Sequence, residues 1–265
     1  MRKLNIAIIG LGNIGSYLFK YLNDNKKILT EKNNCLPVVK YISAKNKKRK
    51  RNIKFKKTQW LNNYLEATKL KDVDLIVELI GGAEGAAKKL VFAALKNKKN
   101  VVTANKALIA KYGDQLSKIA EDNKVNLEFE ASVCGGVPII RSLKEGLIAN
   151  KILKIYGIFN GTSNYILSSM DKENKSFSEV LLNAKKLGYA ESNPSSDLNG
   201  NDVSSKLKIL SSLCFNSFLN DKIYVEGIKD IDKTDINNAN KLGYKIKLLG
   251  FSEFFNNRFY QRVHP

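Results

Sequence analysis

Asp202 and Lys206 stand four residues apart at the end of the stretch AKKLGYAESNPSSDLNGNDVSSK, residues 184–206. In a helix that spacing puts a carboxylate and an ammonium on one face. The same register continues through Ile209 and Leu213, so the face turns apolar one turn later. A pair at that edge points to an interior or a cleft, where it is costly unless other groups satisfy it or it takes part in chemistry. The chemistry open to it is proton transfer. An ammonium can stabilise a developing oxyanion and protonate it, while the carboxylate holds the ammonium in place. Taken alone, the two residues fit a solvated i,i+4 pair beside a core stripe just as well. Two further acids, Glu191 and Asp197, lie upstream around the Asn193-Pro194 and Asn199-Gly200 turns. The cost of such an acidic cluster falls when a cationic ligand arrives, although Asp197 would serve nearly as well as a cap before Asn199-Gly200.

The element that could bring a reactant to this pair lies at the other end of the chain. Ile6 to Ile9 is a continuous apolar run, as in a strand buried on both faces. It ends in Gly10-Leu11-Gly12-Asn13-Ile14-Gly15 and leads into a helical pattern of Tyr17, Leu18, Tyr21 and Leu22. A G-x-G-x-x-G between strand and helix permits a tight turn and lets backbone approach a pyrophosphate at the helix N-terminus. Gly10, Gly12, Asn13, Ile14 and Gly15 are therefore the candidate dinucleotide-binding residues. A second strand, about Leu36 to Ser43, ends without the acid that an NAD ribose prefers and runs instead into Lys45-Asn46-Lys47-Lys48-Arg49. Cations there, Lys45 first, suit a 2′-phosphate and favour NADP over NAD; ordinary solvated loop lysines are an equal reading.

Thr58 is placed to cap a short helix opening with Gln59 and Trp60, and Val73 to Ile80 reads as a buried strand closed by Gly81-Gly82. A helix over Ala83 to Asn97, a strand at Val101 to Thr103 and a last strand at Val125 to Glu130 complete a βαβ alternation. The fold class is α/β, with a doubly wound parallel sheet of Rossmann type over residues 1–131. Ligands of such sheets lie beyond the carboxyl ends of the strands, where Glu78 to Gly82 and Thr103 to Lys106 fall. Lys106 could equally be a solvated lysine at a helix start, although a cation there opposes the helix dipole. Residues 132–265 form an α+β domain. Its expected pieces are a strand over Ile152 to Phe159, a helix to Met170, a helix from Ser176 or Ser178 and a strand-like Ile223 to Ile228. Thr234 or Asp235 then opens a short helix, and Tyr244–Phe251 pairs with Arg258–Val263 in a hairpin across Asn256-Asn257.

At 265 residues and 43% hydrophobic, the chain can bury a sizeable core. No apolar run approaches the roughly 18 to 20 residues of a membrane span, and Met-Arg-Lys leading directly into a strand does not read as a secretion signal. Three widely spaced cysteines, Cys35, Cys134 and Cys214, read as reduced packing residues of a cytoplasmic protein. A formal charge of +20 raises nucleic-acid binding, but the lysines are scattered through every segment rather than gathered on one. The single histidine, His264, excludes a Ser-His-Asp triad and a His-rich metal site, so proton transfer falls to Lys, Asp, Glu or Tyr.

The run Ala184, Gly188-Tyr189-Ala190, Asn193-Pro194, Asp197-Leu198, Gly200, Asp202 and Lys206 resembles the active-site motif of homoserine dehydrogenases. TANKALIA (residues 103–110) and NGTSNYIL (residues 160–167) are similar to the same family, and the likeness extends over essentially the whole chain. The resemblance implies NAD(P)-dependent interconversion of L-aspartate 4-semialdehyde and L-homoserine, in threonine, methionine and isoleucine biosynthesis. It implies Lys206 and Asp202 as catalytic residues, and Glu191, Asp197 and Lys106 as substrate residues. NADP or NAD would be held by the glycine motif, Lys45, Thr103 and Lys106. It further implies a homodimer, no membrane partner, and a monovalent cation, Na⁺ or K⁺, at Glu130 and the carbonyls of Val133, Gly135 and Val137. Read by itself, the Gly135-Gly136 loop is a hinge between domains. Relative to the family, the chain is expected to lack a closing C-terminal segment after residues 262–265. The alternative function is a non-catalytic NAD(P)-binding remnant of such an enzyme.

Overall fold

The apolar residues Ile6, Ala7, Ile8 and Ile9 are all buried in the second half of β1 (Arg2–Ile9). They form the centre of the first of two compact units, Met1–Pro138 and Ile139–Pro265, in the computed structural model. Residues 1–51, 53–55, 57–215, 223–256 and 258–265 are described.

In the first unit β1 is followed by α1 (Asn13–Asp24), α2 (Lys26–Asn33), β2 (Cys35–Ser43) and β3 (Gln59–Trp60). Then come β4 (Leu75–Glu78), α3 (Ala86–Lys96), β5 (Asn100–Thr103), α4 (Lys106–Asp122) and β6 (Leu127–Glu128). The strands lie in the order β3-β2-β1-β4-β5-β6 and every pairing is parallel. This is the Rossmann order, reversing direction between β1 and β4. The helices bury narrow apolar stripes on the sheet, among them Phe19 of α1, Leu90 and Ala94 of α3, and Leu108 and Leu116 of α4.

Gln59 and Trp60 are not the start of a helix. They pair with Tyr41 and Ile42 as an edge strand, and the Thr58 hydroxyl donates to Val39 O at 2.9 Å instead of capping. A 3₁₀ turn, Tyr64–Thr68, begins only after Asn63, whose side chain caps it. Partner strands, which local propensity does not contain, decide this segment. β4 is shorter than the apolar run because the N–H groups of Ile80 and Gly81 turn back to the Glu78 carboxylate, and Gly81 and Gly82 take φ of 87° and 81°. β6 likewise ends before Glu130, where a 3₁₀ turn starts.

The second unit opens with α5 (Ile139–Arg141) and continues through β7 (Lys154–Gly157), α6 (Gly161–Glu173) and α7 (Phe177–Lys186). It then runs through α8 (Ser195–Leu198), α9 (Asn201–Phe215), β8 (Tyr224–Val225), α10 (Lys233–Lys241), β9 (Leu249–Phe255) and β10 (Arg258–His264). The strand order is β7-β9-β10-β8, antiparallel except for β10 with β8. Its core gathers Ile166 and Met170 of α6, Val180 of α7, Val203 and Leu207 of α9, Leu248 and Val263. Ser176 caps α7 through a full capping box with Glu179.

α10 is capped by Asp232, with Asp235 as its reciprocal partner, so neither Thr234 nor Asp235 is the cap. β8 covers only two residues of the expected strand. Beyond it Ile228 N–H donates to Leu198 O, and a Cβ on Gly227 would stand 2.2 Å from that same oxygen, so the chain leaves the sheet to pack on α8. The β9–β10 hairpin forms, but β9 starts at Leu249 and Tyr244 lies in the turn closing α10. Asn256 of its turn has φ 49°; Asn257 lies outside the described residues.

Candidate active site

Residues 199–201 make the turn that starts α9, with Gly200 at φ 79°. One helical turn later Lys206 reaches back to Asp202, Nζ to Oδ2 at 3.0 Å. The two side chains are 17% and 8% exposed, so this is a pair withdrawn from water and not a solvated one. The Lys206 ammonium also donates to Phe159 O at 2.7 Å, and Asp202 Oδ2 accepts from Asn160 Nδ2 at 3.0 Å. These added bonds are what a buried pair requires to offset its desolvation. Asn160 caps α6 through Oδ1, which accepts from Ser163 N–H at 2.7 Å, and its Nδ2 donates to Asp197 Oδ1 at 2.8 Å. The fold therefore brings Asp197, Asp202 and Lys206 together around one asparagine. Glu191 is exposed on the segment before α8 and makes no side-chain hydrogen bond or ion pair among the described residues. Its segment is tied to α6 by the Thr162 hydroxyl, which donates to Tyr189 O at 2.7 Å, and by the Tyr165–Tyr189 ring stack at 4.4 Å.

Further along α6, Lys247 donates to Asn164 Oδ1 at 3.0 Å and Ser168 Oγ at 2.6 Å. Burial pushes its ammonium pKa below the ordinary value, an effect the nearby Asp171 carboxylate opposes.

In the first unit the glycine loop follows β1. Gly10 has φ 105°, and a Cβ on Gly15 would stand 2.0 Å from Gly10 O, so the turn and the helix approach both demand glycine. Gly12 has an ordinary φ of −75° and open space where its Cβ would be. Its lack of a side chain relieves nothing within the protein and leaves a cradle. α1 has no side-chain cap and no acid in its first turn, so its N–H groups fit an anionic pyrophosphate. Asn13 and Ile14 form that first turn.

A cavity of about 230 Å³ beside the loop is lined by Leu11, Gly12, Asn13, Ser16, Arg49, Lys50 and Arg51. Lys45 is exposed at the start of the basic segment and does not line it. Arg51 holds the segment against the glycine loop: Nε donates to Leu11 O at 3.1 Å, and the other nitrogens to the carbonyls of Asn46 and Arg49. Its guanidinium lies 5.5 Å from the Trp60 ring centre.

At the carboxyl ends of β4 and β5, Glu78 is fully buried and its carboxylate accepts from Ile80 N–H, Gly81 N–H and the Thr103 hydroxyl. The same hydroxyl accepts Asn105 N–H at 3.0 Å, and Asn105 caps α4 while its Nδ2 donates to Gly82 O at 2.8 Å. Thr103 is thus buried and committed to shaping the loop, and half-buried Lys106 is the first residue of the helix that loop launches. Glu130 opens the 3₁₀ turn after β6, and a turn bond from Val137 N–H to Cys134 O closes the Gly135-Gly136 loop, with Gly136 at φ 82°. Among the described residues no group of three or more His, Cys, Asp or Glu could hold a metal, so a cation at Val133, Gly135 and Val137 would depend on backbone oxygens.

A family profile described as "Homoserine dehydrogenase" matches residues 138–265, and one described as "Homoserine dehydrogenase, NAD binding domain" matches residues 10–130. The chain belongs to the homoserine dehydrogenase family. Homoserine dehydrogenase of Neisseria gonorrhoeae is 41% identical over 266 residues, covering 100% of this chain and 61% of that protein. That of Bacillus subtilis is 38% identical with the same coverage. The solved structure of a homoserine dehydrogenase from Thiobacillus denitrificans superposes with a TM-score of 0.93 at 39% identity, over 100% of this chain and 61% of that one. The chain thus spans about three-fifths of the length of these relatives. Arg51 was not among the site residues expected from sequence; Glu78 fell in a stretch expected at the strands' carboxyl ends and Asn160 in the NGTSNYIL run, neither with a role of its own. Asn160 carried a usable signal, an asparagine directly before a helix start.

Proposed function

We propose that the chain carries the homoserine dehydrogenase reaction, reduction of L-aspartate 4-semialdehyde to L-homoserine and its reverse. The observation that carries this reading is the withdrawn Asp202–Lys206 pair, held from both ends by Phe159 O and Asn160. Reduction of an aldehyde takes a hydride at carbon and a proton at oxygen. The dinucleotide at the glycine loop supplies the hydride chemistry when bound. Lys206 stabilises the alkoxide charge and gives the proton, and Asp202 holds its ammonium. Asp197 and Glu191 receive the substrate's α-ammonium, and Lys106 its remaining polar groups.

NADP is the proposed cofactor, because Arg49, Lys50 and Arg51 converge beside the pyrophosphate cradle where a 2′-phosphate would be read. The monovalent cation at Glu130, Val133, Gly135 and Val137 belongs to the same proposal, since alkali cations take oxygen donors; its check is a potassium- or sodium-dependent rise in melting temperature. A homodimer is also proposed. One face of the β7-β9-β10-β8 sheet exposes Tyr156, and on it Tyr224, Phe255 and Tyr260 line a concavity of about 600 Å³ together with Glu253 and Arg262. Apolar side chains with charges of both signs suit pairing with a second copy. No disulfide joins the cysteines, which supports a reducing, cytoplasmic setting, and no helix among the described residues is long and apolar enough to cross a membrane.

The test is NADPH oxidation by this 265-residue chain with the semialdehyde, beside nucleotide binding by calorimetry. Turnover that Lys206→Ala abolishes while NADPH still binds is the expected result. Nucleotide binding without any turnover would reduce the chain to a nucleotide-binding remnant. Undiminished turnover in Lys206→Ala would refute the assignment of Lys206.

A further inference from the structure

Asn160 is 6% exposed and bonded in three directions. Its carbonyl oxygen caps α6 by accepting Ser163 N–H at 2.7 Å, and its amide nitrogen donates to Asp197 Oδ1 at 2.8 Å and Asp202 Oδ2 at 3.0 Å. A primary amide has two N–H donors, so these bonds use its whole donor capacity. Two carboxylate oxygens bonded to one nitrogen lie within about 6 Å of each other. The residue before it completes the arrangement, since Phe159 O accepts from Lys206 Nζ at 2.7 Å. The dipeptide Phe159–Asn160 therefore grips the Asp202–Lys206 pair at both ends and ties Asp197 to it.

We propose that Asn160 is a positioning residue that sets the relative placement of Asp197, Asp202 and Lys206 for an amino-acid substrate. The proposal deepens the reading of this site as the substrate site and rests on it. Capping α6 needs only an oxygen, which Asp or Ser supplies as well. The demand that singles out asparagine is an acceptor and two neutral donors on one short side chain. Glutamine would carry the amide a methylene too far, and a cationic residue would neutralise the acids it is meant to hold. A neutral donor spaces the acids without itself neutralising them, which suits reception of the α-ammonium of the incoming amino acid. Asp197 is half-buried, and its one side-chain hydrogen bond among the described residues is this one, so its second oxygen is the natural contact.

The experiment uses the whole chain with Asn160→Asp and Asn160→Ser. Both retain an oxygen to cap α6 and neither can donate to both carboxylates. The expected result is unchanged NADPH affinity for both, a melting temperature within a few degrees of the parent for Asn160→Ser, and a lower one for Asn160→Asp, which sets a third carboxylate beside Asp197 and Asp202. The Lys206 ammonium ¹⁵N resonance moves, and L-homoserine affinity, measured by calorimetry, weakens about tenfold or more, as for lost bonds to charged groups. An unmoved Lys206 resonance with undiminished L-homoserine affinity overturns the proposal. So does unfolding of both variants alike, which would assign Asn160 to folding alone. If the parent chain binds no L-homoserine, the reading of the substrate fails, and the Lys206 resonance by itself decides the positioning role: movement supports it and constancy overturns it.

Discussion

Replacing Lys206 with methionine keeps the length and apolar stem of the side chain and removes the ammonium. Asp202, 8% exposed, then loses the ammonium that stands 3.0 Å from its carboxylate. Removing one partner of a buried pair costs about 3–5 kcal/mol. The low end applies here, about 3 kcal/mol, because Asn160 still donates to Asp202 and only the Phe159 carbonyl loses a donor besides. For a unit of this size that corresponds to a fall of roughly 10 °C in its melting temperature. Converting Asp202 to asparagine in the same chain removes the carboxylate charge that faced Lys206 while keeping an oxygen for Asn160. The double variant should recover at least half of the loss, although its activity stays absent. Melting by circular dichroism reads the stability arm, and NADPH oxidation reads the chemistry, which should fall by about 10²–10⁴-fold. A single variant that melts with the parent would show the pair to be solvated and would remove the reason for assigning it a reaction. A double variant no more stable than the single would refute the assignment of the loss to the Asp202 charge.

Arg51→Ala frees the basic segment from Leu11 and Trp60, so NADPH affinity should weaken about 10- to 100-fold, with much less change for NADH; equal losses for both would place Arg51 in folding rather than in phosphate recognition. Glu84 is hydrogen-bonded by Lys111 at 2.7 Å, by Tyr112 and by Lys88 at 3.2 Å, and these donors, Lys111 foremost, hold its carboxyl at about 2. A depressed carboxylate contributes stability above its ordinary value of 4.5 that disappears as pH falls towards 2. The melting-temperature difference between the parent and Glu84→Gln should therefore be present at neutral pH and close between pH 4.5 and 2; a difference that persists at pH 2 would contradict this. Phe255→Glu, on the exposed sheet face, should shift the chain from dimer to monomer in sedimentation without altering nucleotide binding; an unshifted dimer would put the interface elsewhere.

Much of the molecule was legible in local pattern. The strand–glycine–helix motif at Gly10–Gly15, the i,i+4 placement of Asp202 and Lys206, and a cap at Ser176 or Ser178, of which the structure uses Ser176, are each written within a few consecutive residues. Their physics is local too, since backbone freedom, helical register and capping depend on near neighbours. The rest lay beyond such reading because its causes are distant along the chain. Gln59 and Trp60 become a strand only because Tyr41 and Ile42 offer an edge to pair with. Arg51 acquires its place from a carbonyl 40 residues earlier, and Glu78 from a hydroxyl 25 residues later. Whether Asp202 and Lys206 form a solvated pair or a withdrawn one was likewise open until tertiary structure closed on them. Composition and spacing determined which groups were available and which of them share a helix face. Only the tertiary fold, which buries Asn160 at the start of α6 beside an acid of α9 42 residues away, decided that the pair leaves water and that its charges are held in one place. Burial and hydrogen-bond geometry are properties of the folded neighbourhood, and no short window of sequence contains them.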